Sequence, residues 1–156
     1  MTSFSSTFIA LARSSTLVPF SATLGTQTTT IGGTDGNPYR SGNGTGNQVR
    51  TQLLVTAAEL NGIGLAAGNI TSIGLTTTGI GGTVNNFVIR MANSNQTALI
   101  TTFETPAFTT VFTQASFTTV LGLNTHTFQT PFIWNGTSNV VIDFCQTNAV
   151  SGTNTV

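Results

Sequence analysis

The sequence predicts an all-β fold, a jelly-roll-like β-sandwich with one short helix near residues 56–61 and an extended N-terminal arm. Three observations point there. Thr, a β-branched residue that favours strands, supplies much of the polar surface together with Asn, Ser, Gln and Gly. Short β-rich runs are separated by Gly, Asn and Pro, the pattern of a sandwich or barrel rather than of βαβ units. Within two of these runs the apolar residues alternate: Phe87, Ile89 and Met91 with Val88 and Arg90, then Val140, Ile142 and Phe144 with Val141, Asp143 and Cys145.

Along the chain, residues 1–23 read as an arm, because Phe8-Ile9-Ala10-Leu11 and Leu17-Val18-Pro19-Phe20 are apolar segments in a Ser/Thr background. Residues 24–47 read as a Gly/Asn-rich linker loop, with Asp35-Gly36 and Asn37-Pro38 as turn signals and Tyr39 as an interruption. Residues 48–156 form the sandwich domain, with strands expected near 49–55, 70–76, 84–91, 97–103, 108–113, 117–121, 125–129 and 139–145. Thr56-Ala57-Ala58-Glu59 has capping-box spacing and starts the one helix, which Gly62 and Gly64 stop. Thr-x-Thr pairs at 26/28/30, 76/78, 125/127 and 153/155 keep no fixed period, which argues against a β-solenoid or a flat ice-binding Thr array.

Charge bounds the function. Only 5% of the 156 residues are charged: four arginines, four carboxylates and no lysine, for a net charge of zero. Four scattered arginines do not displace the counterions that nucleic-acid binding requires, so no nucleic-acid partner is expected. With 38% hydrophobic residues and eleven Phe the chain is expected to fold. A neutral surface is poorly protected against self-association, which makes assembly the expected purpose. No apolar run reaches the roughly eighteen residues of a membrane helix, so no membrane insertion is expected. Cys145 is alone, so neither an intrachain disulfide nor a Cys-based zinc site is available. Ala10-Leu11-Ala12 before Arg13 resembles a stunted signal peptide, but the apolar stretch is too short and no positive charge precedes it. The chain is read as a mature form whose export signal has gone.

Four separated motifs carry a resemblance: the run from Arg50 through Thr56 and Glu59 to Leu60, the run from Gly64 through Gly68 and Asn69 to Ile73, the run from Asn86 to Met91, and the run from Phe128 through Pro131, Trp134 and Asn139 to Ile142. Together they resemble a recurrent module of large secreted and cell-surface proteins of Bacteroidetes-type bacteria, over roughly Asn37 to Asn148. The resemblance implies export, often by the type IX route, and a β-sandwich module of adhesins, gliding or surface-layer proteins. It implies no catalytic residues. The extra arm and the absence of a following sorting domain favour a stand-alone subunit over simple cell anchoring.

No catalytic residue, metal site or cofactor is assigned from the sequence. His126 shares a strand face with Phe128 and reads as a structural histidine; a triad with Asp143 lacks a Gly-x-Ser-x-Gly elbow. No two carboxylates lie close in sequence, although Asp35 with loop carbonyls leaves a structural calcium open. Glu59 reads as a helix cap, and Asp143 as a partner for Arg50 or Arg90 across the sheet. Trp134 and Asn135 are the candidate ligand contact, a Trp able to stack on a cell-surface glycan, against the alternative that Trp134 packs an edge and Asn135-Gly136 makes the turn into the last strand. Asn43, Asn69, Asn95 and Asn135 head Asn-x-Thr sequons, which an Asn- and Thr-rich chain also yields by chance. The donor-arm residues are Phe4, Phe8, Ile9, Leu11, Leu17, Val18 and Phe20, expected to add a strand to a neighbouring subunit and propagate head to tail. The expectation is therefore an extracellular, non-enzymatic homopolymer, with a monomeric adhesion or glycan-binding module as the alternative.

Overall fold

The computed structural model describes residues 9–13, 20–24, 37–40, 47–148, 154 and 156. Eight strands are present among them: β1 (Ile9–Arg13), β2 (Phe20–Leu24), β3 (Asn47–Val55), β4 (Gly68–Thr77), β5 (Thr83–Ser94), β6 (Thr109–Thr118), β7 (Gly122–Trp134) and β8 (Asn139–Asn148). One helix, α1 (Ala57–Gly62), interrupts them. The fold is all-β, as the composition and alternation require. All strand pairs are antiparallel, in two four-stranded sheets ordered β2-β1-β4-β7 and β3-β8-β5-β6.

The alternation read in the sequence sets the inner faces. Phe87, Ile89 and Met91 of β5 and Val140, Ile142 and Phe144 of β8 are all buried, and they join Ile70, Ile73 and Leu75 of β4 and Phe128, Phe132 and Trp134 of β7 in one cluster fed by both sheets. Local chemistry starts α1: the Thr56 hydroxyl accepts from the Glu59 N–H, while the Glu59 carboxylate accepts from the Thr56 N–H at 2.8 Å, so two end donors are satisfied reciprocally. Leu60 then turns into the core. The adjacent edges β6 and β7 belong to different sheets, and Gln129 bridges them. Its Oε1 accepts from the Thr113 N–H at 3.0 Å and its Nε2 donates to the Thr113 carbonyl at 2.9 Å, so a side-chain amide takes the place of a ladder partner.

Four expectations change. First, the arm does not stand free: β1 pairs with β2 and, from Ala10↔Gly74 to Arg13↔Ile70, with β4 of its own chain. In that register Ala10, Leu11 and Ala12 lie opposite Gly74, Ile73 and Ser72 of β4, and the pairing shifts between Ala12 and Arg13. Secondly, the stretch expected near 97–103 is not a strand. Just beyond it a side chain holds the backbone: Gln52 accepts from the Glu104 N–H at 2.8 Å and donates to the Glu104 carbonyl at 2.8 Å. Thirdly, the strands expected at 108–113 and 117–121 are one strand, β6, because β5 pairs with it from Thr83↔Thr118 to Met91↔Thr109. Fourthly, residues 37–40 are not spacer: Asn37, Pro38 and Tyr39 are buried.

Candidate functional site

Of the donor-arm residues, Phe4, Phe8, Leu17 and Val18 lie outside the described residues. Ile9 and Leu11 lie in β1, opposite Leu24 and Ala22 of β2. Phe20 is half-buried against the core, with its ring beside Gly64. The structure thus places the arm as the outer half of a sheet in its own chain, where it closes β4. Trp134 does not present a stacking face either. It is 1% exposed, and its indole N–H donates to the Ser138 carbonyl at 2.8 Å, because burying an indole demands a partner for that donor. Asn135 folds onto its own turn: its Oδ1 accepts from the Thr137 and Ser138 N–H groups at 3.0 and 2.8 Å. The pair is a structural closure of the β7–β8 connection.

His126 and Tyr39 meet inside the core, with the Tyr39 hydroxyl 2.6 Å from His126 Nε2 and the rings of Phe87, Phe112 and Phe117 around the imidazole. Burial among these rings pushes the imidazole pKa down to about 4 and the Tyr39 phenol well above its usual value. Both groups are neutral at pH 7, and one of them carries the bridging proton. A general base needs access to a reacting proton, and an imidazole 4% exposed has none.

Asp143 is fully buried on the opposite face of β8. Arg50 reaches its Oδ1 at 2.6 Å, Arg90 its Oδ2 at 2.8 Å through Nε and again through Nη2, and Gln52 its Oδ1 at 2.9 Å. Phe103 and Phe108 lie over the two guanidinium groups, at 4.6 and 5.3 Å from ring centroid to carbon. Sequence reasoning offered Arg50 or Arg90; the structure uses both. Cys145 completes the cluster, with Arg90 Nη2 3.3 Å from its sulfur. Burial, and then the Asp143 carboxylate, push the Cys145 thiol up, away from the thiolate a nucleophile needs. Among the described residues no three His, Cys, Asp or Glu side chains gather as metal ligands, and Asp35 lies outside the described residues. No described helix is long and apolar enough to cross a membrane.

The remaining feature is one end of the molecule, where residues 78–82 join β4 to β5 and residues 119–121 join β6 to β7. Two buried asparagines hold these connections. Asn154 Oδ1 accepts from the Gly81 N–H at 2.8 Å and from the Thr119 hydroxyl at 2.7 Å, while its Nδ2 donates to the Tyr39 and Gly82 carbonyls. Asn124 Oδ1 accepts from the Val120 N–H at 2.9 Å, and its Nδ2 donates to Thr77, Val120 and Gly122. On this fixed backbone Ile80, Val120, Leu121 and Leu123 are all more than half exposed. Sequence reasoning missed the feature because it took Val120 and Leu121 as the end of a strand. The available signal was Leu121-Gly122-Leu123-Asn124, where Gly and Asn mark a turn whose other residues are not polar. No protein-family model matches this chain, and no curated protein or solved structure matches it.

Proposed function

We propose that this chain is an extracellular, non-enzymatic structural building block: a jelly-roll-like sandwich that self-associates into a filament or surface layer. The strand sequence supports the sandwich. Successive strands change sheet at every connection except β1–β2 and β5–β6, and eight strands divided between two sheets in this alternating way suit a jelly roll. Ring contacts between Phe87 and Phe117 of one sheet and His126 of the other suit stacked layers. Export rests on the resemblance to secreted surface modules.

One observation carries the self-association: charge is sparse over this chain, four arginines and four carboxylates in 156 residues. Arg50 and Arg90 are moreover both drawn onto the buried Asp143. The outer surface is left to Thr, Asn, Ser and Gly, with Ile80, Ile100, Phe103, Val120, Leu121, Leu123 and Ile133 exposed among them. Such a surface has little repulsion to keep copies apart. Since the N-terminal strands complete their own sheet, the contact joins folded surfaces and not a free arm with an open groove. The glycan-binding alternative loses its stacking residue with the burial of Trp134. Sedimentation of the purified chain over a concentration series, followed by negative-stain microscopy, tests the reading. Species larger than the monomer are expected, and they persist in high salt because apolar contacts are not screened. A monomer at every concentration overturns it.

A further inference from the structure

We propose that the end formed by residues 78–82 and 119–123 is the surface through which two copies of this chain pair, each presenting Ile80, Val120, Leu121 and Leu123. This rests on the self-association reading and names its contact.

The two connections form one surface. The Gly81 N–H and the Thr119 hydroxyl meet on the same oxygen of Asn154, which ties the two connections together one residue from Ile80 and one from Val120. Thr76 pairs with Leu123 and Thr77 with Gly122, which brings the start of β7 alongside. The backbone is preorganised, since the two asparagine amides hold Gly81, Gly82, Val120 and Gly122, and a contact made by rigid groups loses little entropy on forming. Loop tips ordinarily carry Gly, Asn, Asp, Ser or Pro, and aliphatic side chains more than half exposed on such a tip give it no benefit in the isolated chain.

Charge selects the occupant. No charged residue lies between Leu60 and Ile89 or between Thr105 and Ile142, so neither connection carries any, nor do β4, β6 and β7. Two connections without charge offer little to an acidic or basic partner, to nucleic acid or to an anionic headgroup. Insertion into a lipid surface ordinarily pairs apolar residues with exposed Lys, Arg or Trp at the rim; residues 78–82 and 119–123 hold none of these, and Arg40, which follows the Tyr39 carbonyl held by Asn154, is half-buried. Two copies brought together through the same patch meet no like charge, which an isologous contact must avoid. Four half-exposed aliphatic side chains make a patch of the few-hundred-Å² order that marks interaction sites, below the roughly 800 Å² per partner of a stable standard interface. The pairing is therefore weak and concentration-dependent, suited to an assembly in which several weak contacts add.

The test compares the full chain with Leu121→Gln combined with Leu123→Thr, and with Ile133→Thr, a control that is 70% exposed on the far end of β7. Far-UV circular dichroism checks that all three are folded, and sedimentation velocity over a concentration series reads association. The expected result is a pairing constant weakened at least about tenfold by the double variant and unchanged by Ile133→Thr. If the parent chain associates and the double variant associates equally well, the contact lies elsewhere and this inference falls while the structural reading stands. If the parent is monomeric throughout, both fall. Flotation with neutral phosphatidylcholine vesicles is run in parallel: binding by the parent that the double variant loses overturns pairing in favour of a lipid surface.

Discussion

The connections at the two ends of β7 use the same backbone device and leave opposite surfaces. At residues 119–123 the Asn124 side chain gathers Val120, Gly122 and Thr77, and Gly122 takes a positive φ of 91°. At residues 135–138 the Asn135 side chain gathers Thr137 and Ser138, and Gly136 takes a positive φ of 85°. The second tip is polar, Asn-Gly-Thr-Ser, and covers the buried Trp134. The first is Val-Leu-Gly-Leu, and its aliphatic side chains are more than half exposed. An asparagine and a glycine suffice to build either connection, so the remaining residues are free to serve something other than the fold. In the polar one they meet water; in the apolar one they are free for the pairing proposed above.

The sharpest way to break that parallel is Gly136→Ala. A Cβ there would lie 2.9 Å from the Ala67 Cβ and 3.3 Å from the Ala67 nitrogen, and the φ of 85° strains any L side chain. The left-handed backbone costs about 1–2 kcal/mol, and displacing a backbone neighbour adds about 1–3 kcal/mol. Urea unfolding should therefore report a loss of about 2–5 kcal/mol. A loss within experimental error would mean that the closure over Trp134 is loosely packed.

Between the two tips, β7 carries His126, whose titration loads the strand that joins them. The imidazole pKa is about 4 when folded and near 6.5 when unfolded, so between these values the unfolded chain binds more protons and stability rises with pH. The full contribution is present above pH 6.5 and is lost as the pH falls toward 4, to a total of about 3 kcal/mol. Chemical denaturation at pH 7, 5 and 4 of the parent and of His126→Gln isolates it, because carboxylate titrations are common to both. The parent should lose about 3 kcal/mol more than the variant over that range, and equal slopes would place the imidazole in contact with water.

How much of this was legible in the sequence depended on the reach of each interaction. The capping box of Thr56 and Glu59 was readable because both partners lie within one helical turn. The inward faces of β5 and β8 were readable because side-chain alternation is a property of a single strand. The Asn135-Gly136 turn was readable for the same local reason. What escaped reading was set at long range. Asn154 bonds to Asn37 across 117 positions, and no local pattern announces a hub of that kind. The arm appeared free because its partner, β4, lies about 60 positions further on, and no local pattern pairs strands so far apart. Val120 and Leu121 read as strand residues because apolar character suggests burial, whereas the Asn124 amide had already withdrawn their backbone from any ladder.

The smallest effect, and the one that separates building the apolar tip from using it, is expected from Gly122→Ala. Nothing lies within 4 Å of a Cβ at this position, so the substitution meets no neighbour and differs in that respect from its counterpart at Gly136. Only the left-handed backbone, φ 91°, is penalised, at about 1–2 kcal/mol. If the chain accepts that strain and keeps its geometry, Asn124 still gathers Val120 and the patch survives. Stability should then fall slightly while pairing of copies remains. If the backbone relaxes toward negative φ instead, the Asn124 bonds to Val120 and Gly122 break and the side chains of residues 120–123 spread. Stability would then fall by about 1–3 kcal/mol through the unsatisfied Asn124 amide, and pairing would also weaken, as expected of the double variant, because a surface that must be reassembled on contact binds less well than one already formed. Measuring unfolding and sedimentation on the same preparation distinguishes the two outcomes. Retention of pairing would show that the side chains alone carry the contact, and its loss would show that the asparagine-held backbone carries it with them.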